Sequence, residues 1–226
     1  MEEGRTVAAA PDVATSRDGE VERRWLAALQ QLTGRVAHEL RNALNGVAVN
    51  LEVVRSRAGR EGLAASALGS FAGSASDQLE QVIGMTDALL ALARAGQEPA
   101  AIGRTTDQVA ALVRPALAAT GGALELLVEG ERTTRVPSPA ARLFIAATLQ
   151  AAMDAAREPG DASKEGGVSL TCRVRPAASE ARGVELRVEG AFVRTPMLDA
   201  TLVTLANEYG VGFLPAASSI TSTFPA

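Results

Sequence analysis

Apolar residues recur at Leu29, Leu32, Val36, Leu40, Leu44, Val47, Leu51 and Val54, with spacings of 3, 4, 4, 4, 3, 4 and 3. That rhythm is close to a heptad seam and commits the segment to one long amphipathic helix. The sequence predicts this helix from about Gly19 to Ala58, closed by the breaker Gly59-Arg60-Glu61-Gly62. A second apolar seam follows, at Leu68, Phe71, Ala75, Leu79, Val82, Thr86, Leu89 and Ala93. Ile83, Leu90 and Leu92 broaden it, and the helix is predicted from about Leu63 to Arg94. A lone hairpin cannot bury two such faces, so two hairpins are expected to pair into a dimeric four-helix bundle.

The only histidine of the 226 residues, His38, lies within the first helix. With about 100° per residue and His38 at 0°, the apolar residues cluster at about 120–240°. His38 is therefore predicted to face solvent, where a neutral imidazole is a nucleophile at cellular pH. Near that azimuth lie Asn42, Asn45, Val49, Glu52 and Val53, all within about 60° of His38. Two valines on a polar stripe beneath a reactive histidine suggest a partner surface, although exposed valines are also common on any helix. Asn45 and the small Gly46 would let another backbone approach.

The run His38-Glu39-Leu40-Arg41-Asn42-Ala43-Leu44 resembles the phosphoacceptor box of sensor histidine kinases. That box commonly has a proline where Ala43 stands, so the usual kink should be missing and the helix straighter. The resemblance implies a phosphorylatable histidine on the first helix of a dimerising hairpin, followed by an ATP-binding α/β domain. It gives Glu39 a role in acid–base catalysis or ring orientation, beside the plain alternative of a solvated carboxylate. Asn42 sits one turn from His38, and Glu-x-x-Asn is the pattern the family uses to dephosphorylate receivers. Arg41 could counter phosphate charge or be an ordinary surface residue.

After Gly96 to Gly103, read as a linker, the pattern changes to alternating helices and strands. The predicted order is a helix over Asp107–Ala119 with Pro115 inside, then a strand over Ala123–Glu129. A helix from Ser138-Pro139 to Arg157 follows, with Ser138 as its cap, then a polar loop from Glu158 to Gly167. Alternation marks strands through Val168–Val174 and Val184–Val188. A helix from Thr195-Pro196 to Tyr209 is closed by Gly210, and strands at Val211–Pro215 and Ile220–Phe224 end the chain. The fold class is α+β: a helical hairpin, residues 19–95, then a two-layer α/β sandwich, residues 104–226, after an unstructured tail, residues 1–18.

The sandwich resembles the kinase ATPase domain in element order and lacks its chemistry. The family's two metal-holding asparagines fall most plausibly at Ala147 and Ala151. Its adenine-reading aspartate and glycines would follow the strand ending Val188-Glu189-Gly190-Ala191-Phe192, where Phe192 would fill an adenine pocket. Only Val193 and Arg194 separate Phe192 from the expected helix start, which leaves no room for a lid. Gly210-Val211-Gly212 precedes a strand, so it cannot aim a helix N-terminus at a phosphate.

Composition narrows the partners. A net charge of −4 and 3% aromatic residues argue against nucleic acid. No apolar run reaches the ~20 residues of a membrane span, and the first residues lack the apolar stretch of a secretory signal, so none is expected. Cys172 is the single cysteine and His38 the single histidine, so no intrachain disulfide or typical zinc site can form and a cytoplasmic setting is expected, while the family resemblance implies a bacterial source. With 37 residues before His38, no sensor is expected within this sequence. The implied function is a histidine phosphotransferase that passes a phosphoryl group between receiver-domain aspartates through His38 without ATP. This chain would bind no cofactor, and magnesium would arrive with the receivers. Partners would be response-regulator receivers, a second copy and a hybrid histidine kinase. Alternatives are a receiver phosphatase, a non-catalytic dimeric scaffold or an active sensor kinase.

Overall fold

The computed structural model describes residues 13–58, 65–94, 96, 98–157, 167–177 and 183–226. Helix α1 runs unbroken over Val13–Ala58 and α2 over Ala65–Ala93. Helix α1 passes through Ala43 without interruption, as expected where proline is absent. Its 46 residues make a rod about 70 Å long. It begins at Val13, so the expectation of an unstructured tail fails for residues 13–18. The glycine-rich turn expected at residues 59–62, residues 1–12 and the polar loop of residues 158–166 lie outside the described residues.

The expected linker instead contains a short strand, β1 (Pro99–Ala101), and the start of α3 (Ile102–Ala118). Strand β2 (Ala123–Val128) comes next, then β3 (Thr133–Pro137), which the sequence pattern does not predict. It pairs antiparallel with β1. Helix α4 (Ser138–Ala156) leads to β4 (Ser169–Pro176) and β5 (Val184–Gly190). Helix α5 (Ala200–Glu208), β6 (Gly212–Pro215) and β7 (Ser219–Phe224) complete the chain. The five-stranded sheet has the order β2-β4-β5-β7-β6. Among the described residues only β2 and β4 are parallel, and α4 lies in the crossover such a pair needs.

Alternation decides which sheet face is core. Leu170, Cys172 and Val174 of β4, Val184, Leu186 and Val188 of β5, and Ile220 and Phe224 of β7 are buried on one side. The other side carries Arg173, Arg175, Glu185, Arg187 and Glu189, joined by ion pairs of 2.8–3.4 Å. Burial pushes the Cys172 thiol up to about 12, consistent with a core residue and no reactive role. Helix α4 is buried nearly all round because it lies between the sheet and other helices, and its many alanines permit close approach. Its Thr148 hydroxyl bonds the Phe144 carbonyl at 2.7 Å and the buried Ser222 hydroxyl at 2.6 Å.

Two helix starts differ from expectation. Ser138 does not cap α4: its hydroxyl donates to the Glu98 carbonyl at 2.7 Å and ties the chain before β1 to this helix. Helix α5 begins at Ala200, not at Thr195-Pro196. Asp199 is its cap, accepting from the backbone N–H groups of Thr201 at 2.8 Å and Leu202 at 3.2 Å. Those N–H groups hold the Asp199 carboxyl below its ordinary range. Gly210, at φ +71°, supplies the left-handed residue that ends α5.

The two parts of the chain share one hydrophobic core. Val21 and Trp25, on the N-terminal arm of α1, are buried in it. Arg17 stacks over the Tyr209 ring at 4.4 Å, the Tyr209 hydroxyl donates to Asp18, and Arg24 approaches Asp199 at 3.9 Å. Arg142 of α4 donates to the Leu92 and Arg94 carbonyls at 3.1 and 2.7 Å, satisfying the last turn of α2.

Candidate functional site

Helix α1 presents His38 as the sequence predicts, exposed and on the outer face. Among the described residues the imidazole has no hydrogen bond or ion pair. Asn42, one turn on, is exposed and equally free, and so are Arg41 and Asn45. Glu39 is half-buried and makes no bond to His38. Glu52 is exposed beside Arg55, at 3.6 Å, and Val49 is 63% exposed. Val53 is half-buried. The line His38, Asn42, Asn45, Val49 is thus an open polar stripe with one apolar residue fully presented.

Gly46 lies against α2, where a Cβ would meet the end of the Gln78 side chain at 2.3–2.7 Å. Gln78 also accepts from Asn50 Nδ2 at 3.2 Å, which locks the two helices at this level.

The buried side of α1 is narrower than its apolar stripe. Val36 and Ala43 are buried against the rest of the chain, but Leu44 and Leu51 are half exposed, at 50% and 52%. Leu79, Ile83 and Leu90 on α2 are exposed to a similar degree. Leu44, part of the first apolar seam, is uncovered within one chain.

The residues that the family resemblance sets at nucleotide contacts are Ala147, Ala151 and Phe192. Ala147 is half-buried and lines a cleft of about 300 Å³ between α1, α4 and α5; Ala151 is buried. Neither methyl group can ligate a metal. The Phe192 ring packs half-buried over Gly190, where an added Cβ would lie 3.0 Å from Cε1 of that ring. The connection after it, residues 191–199, is longer than expected because α5 starts late. It is still pinned down: the N–H groups of Val193 and Arg194 donate to the Ala155 carbonyl at 2.9 and 3.4 Å. The Arg194 guanidinium bonds the Asp154 carbonyl at 2.8 Å. Gly212 opens β6, in keeping with a turn before a strand.

Sequence reasoning missed Arg35. It lies three residues before His38 and donates from Nη1 to Gln150 Oε1 of α4 at 2.8 Å. The signal available was positional only: Gln31, Arg35 and His38 share one azimuth band, within about 60°. Their neighbour across the helix boundary could not be read without the fold.

No family model matches the sequence, and no curated protein matches it. Similar solved structures include the Erythrobacter litoralis EL346 blue-light activated histidine kinase, at 13% identity and a TM-score of 0.35. That match covers 86% of this chain and 59% of that one, so this chain spans less than two thirds of its length. The histidine kinase domain of the same protein matches at 12% identity and a TM-score of 0.40, covering 87% and 94% of the two chains. The Acinetobacter baumannii histidine kinase AdeS matches at 12% identity and a TM-score of 0.39, covering 83% and 97%.

Proposed function

We propose that this chain is a histidine phosphotransferase, passing a phosphoryl group from the aspartate of one receiver domain to that of another through His38. The observation that carries the reading is an exposed, unbonded His38 inside a His-Glu-Leu-Arg-Asn run, on a chain whose α4 offers Ala147 and Ala151 where a kinase would need ligands. In the first half-reaction a neutral ring nitrogen of His38 gives its lone pair to phosphorus. The P–O bond to the donor aspartate breaks, and its electron pair leaves on that carboxylate. The second ring nitrogen keeps its proton or yields it to Glu39. The second half-reaction is the reverse, with the acceptor carboxylate attacking and the imidazole leaving. Magnesium would be held by the receivers' own acidic pockets, and this chain's part is to present and orient the nucleophile.

Two surfaces support the reading. The stripe from Asn42 through Val49 lies directly beside His38 and is open for a receiver helix. Val49→Asp should reduce transfer by at least about tenfold while leaving the melting temperature within about 1 °C, since it places a charge at a surface position. Stopped-flow transfer and a melting curve check it; an unchanged rate places docking elsewhere. The second surface is the row Leu44, Leu51, Leu79, Ile83 and Leu90, which we assign to a second copy in a four-helix bundle. Light scattering should give a dimer mass for the wild type and a monomer mass for Ile83→Asp; a wild-type monomer at micromolar concentration removes the bundle.

The direct test is incubation with phosphorylated receivers, then with ATP and magnesium. Label should reach the chain from receivers and not from ATP, and calorimetry with millimolar nucleotide should show no binding heat. Autophosphorylation from ATP alone would make the chain a kinase.

A further inference from the structure

Arg35 is about 60° around α1 from His38 and one turn before it, so the two share a face. Helix side chains lean alike toward the N-terminus, so the two keep their one-turn spacing, and the long Arg35 side chain can swing within reach of a group carried on the imidazole. Arg35 is exposed, and its one bond is to a neutral group, Gln150 Oε1 at 2.8 Å. The other end of that amide is fixed as well, with Nε2 donating to Asp154 Oδ1 at 2.7 Å. Gln150 is therefore clamped with its oxygen turned to the guanidinium.

No carboxylate lies within ion-pair distance of Arg35 among the described residues. Other arginines differ: Arg24 is paired with Glu20 at 2.6 Å, and Arg175 with Glu185 at 2.8 Å. Arg41 is also unpaired but is held by nothing. Arg35 alone combines an uncommitted charge, a fixed position and the face of His38. With Nη1 bound to Gln150, its Nε and Nη2 donors remain for an anion, in a geometry suited to phosphate oxygens.

We propose that Arg35 stabilises the phosphoryl group in transit at His38, and that Gln150 of the α/β domain is the positioning residue that holds it there. The proposal rests on the phosphotransfer reading above. As phosphorus passes from the aspartyl oxygen to the ring nitrogen, negative charge on its three peripheral oxygens comes to lie against α1. A guanidinium fixed beforehand at that place meets it without reorganisation. The α/β domain thereby has a task that needs no nucleotide.

Transfer rates from phosphorylated receivers, with melting curves, test this. Arg35→Gln should slow transfer by about 10- to 100-fold, the scale for losing one preorganised donor. Arg35→Lys keeps the charge, loses the fork and should recover part of the rate. Gln150→Glu is the discriminating variant. Made in an Asp154→Asn background, which removes the like charge the new carboxylate would otherwise meet, it keeps the tether to α1 yet neutralises the guanidinium, so transfer should fall by about tenfold relative to Asp154→Asn alone at a similar melting temperature. Added guanidinium should partly rescue Arg35→Ala. A wild-type rate in Arg35→Gln, or no fall on adding Gln150→Glu to Asp154→Asn, overturns the proposal. A wild-type chain that accepts no phosphoryl group from any receiver sinks the phosphotransfer reading itself, a result separate from an active wild type indifferent to Arg35.

Discussion

Replacing His38 with glutamine should abolish acceptance of phosphoryl groups from receivers altogether, while receiver binding persists. Glutamine is similar in reach, and His38 makes no bond that the fold would miss. The change removes the lone pair that attacks phosphorus and little else, so stability should move by less than about 0.5 kcal/mol. The label on the wild-type chain should be lost in mild acid and kept in alkali, as a P–N bond requires. Titration by calorimetry should give the same receiver affinity for both proteins. Two other outcomes are informative. If receiver dephosphorylation continues in His38→Gln and stops in Asn42→Ala, the stripe orients water and the chain is a phosphatase. If binding alone is ever seen, with wild type and variant alike, the chain is a scaffold.

Phe144→Ala should produce the largest loss of stability. Phe144 is fully buried in α4, and its ring makes edge contacts with Tyr209 and Phe213, each at 6.1 Å between centroids. Removing it leaves a void where α4, the end of α5 and β6 converge, at about 3–5 kcal/mol. Over a chain of this size that corresponds to a fall in melting temperature of roughly 10 °C. Calorimetry at fixed protein concentration checks it, because self-association would otherwise shift the midpoint. A fall under about 3 °C would show that the neighbouring side chains collapse into the space, or that this part of the core is loose.

Much of the architecture was legible because periodicity is a strong signal over long segments. The seam from Leu29 to Val54 and the alternation of Val184, Leu186 and Val188 were read correctly as helix and strand. Strand β3 was missed because Thr133-Thr134-Arg135-Val136-Pro137 buries only Thr134 and Val136 and ends in proline, which weakens a strand pattern. The start of α5 was misplaced because Ser/Thr-Pro is a common helix opening, whereas Asp199 competes better for the free N–H groups. At the site, the exposure of His38 followed from its azimuth alone. The position of Gly46 against Gln78 and of Arg35 against Gln150 did not, since each depends on an element distant in sequence. The full width of the apolar stripe was legible too, and so was the inability of one hairpin to cover it, which shows in the exposed Leu44, Leu51 and Ile83.

The unbroken helix α1 has one more consequence. Val21, Trp25 and Val36 lie in the core that the hairpin shares with the α/β domain, and Ala43 is buried further along, so all four sit on the same rod. Neither half owns that helix. A helix cannot melt at one end and keep a seam in register at the other without fraying through the turns between them. The two parts should therefore unfold together, in one calorimetric transition. Whatever tightens the hairpin, a second copy or a docked receiver, is felt as added resistance to opening in a sheet several helical turns away.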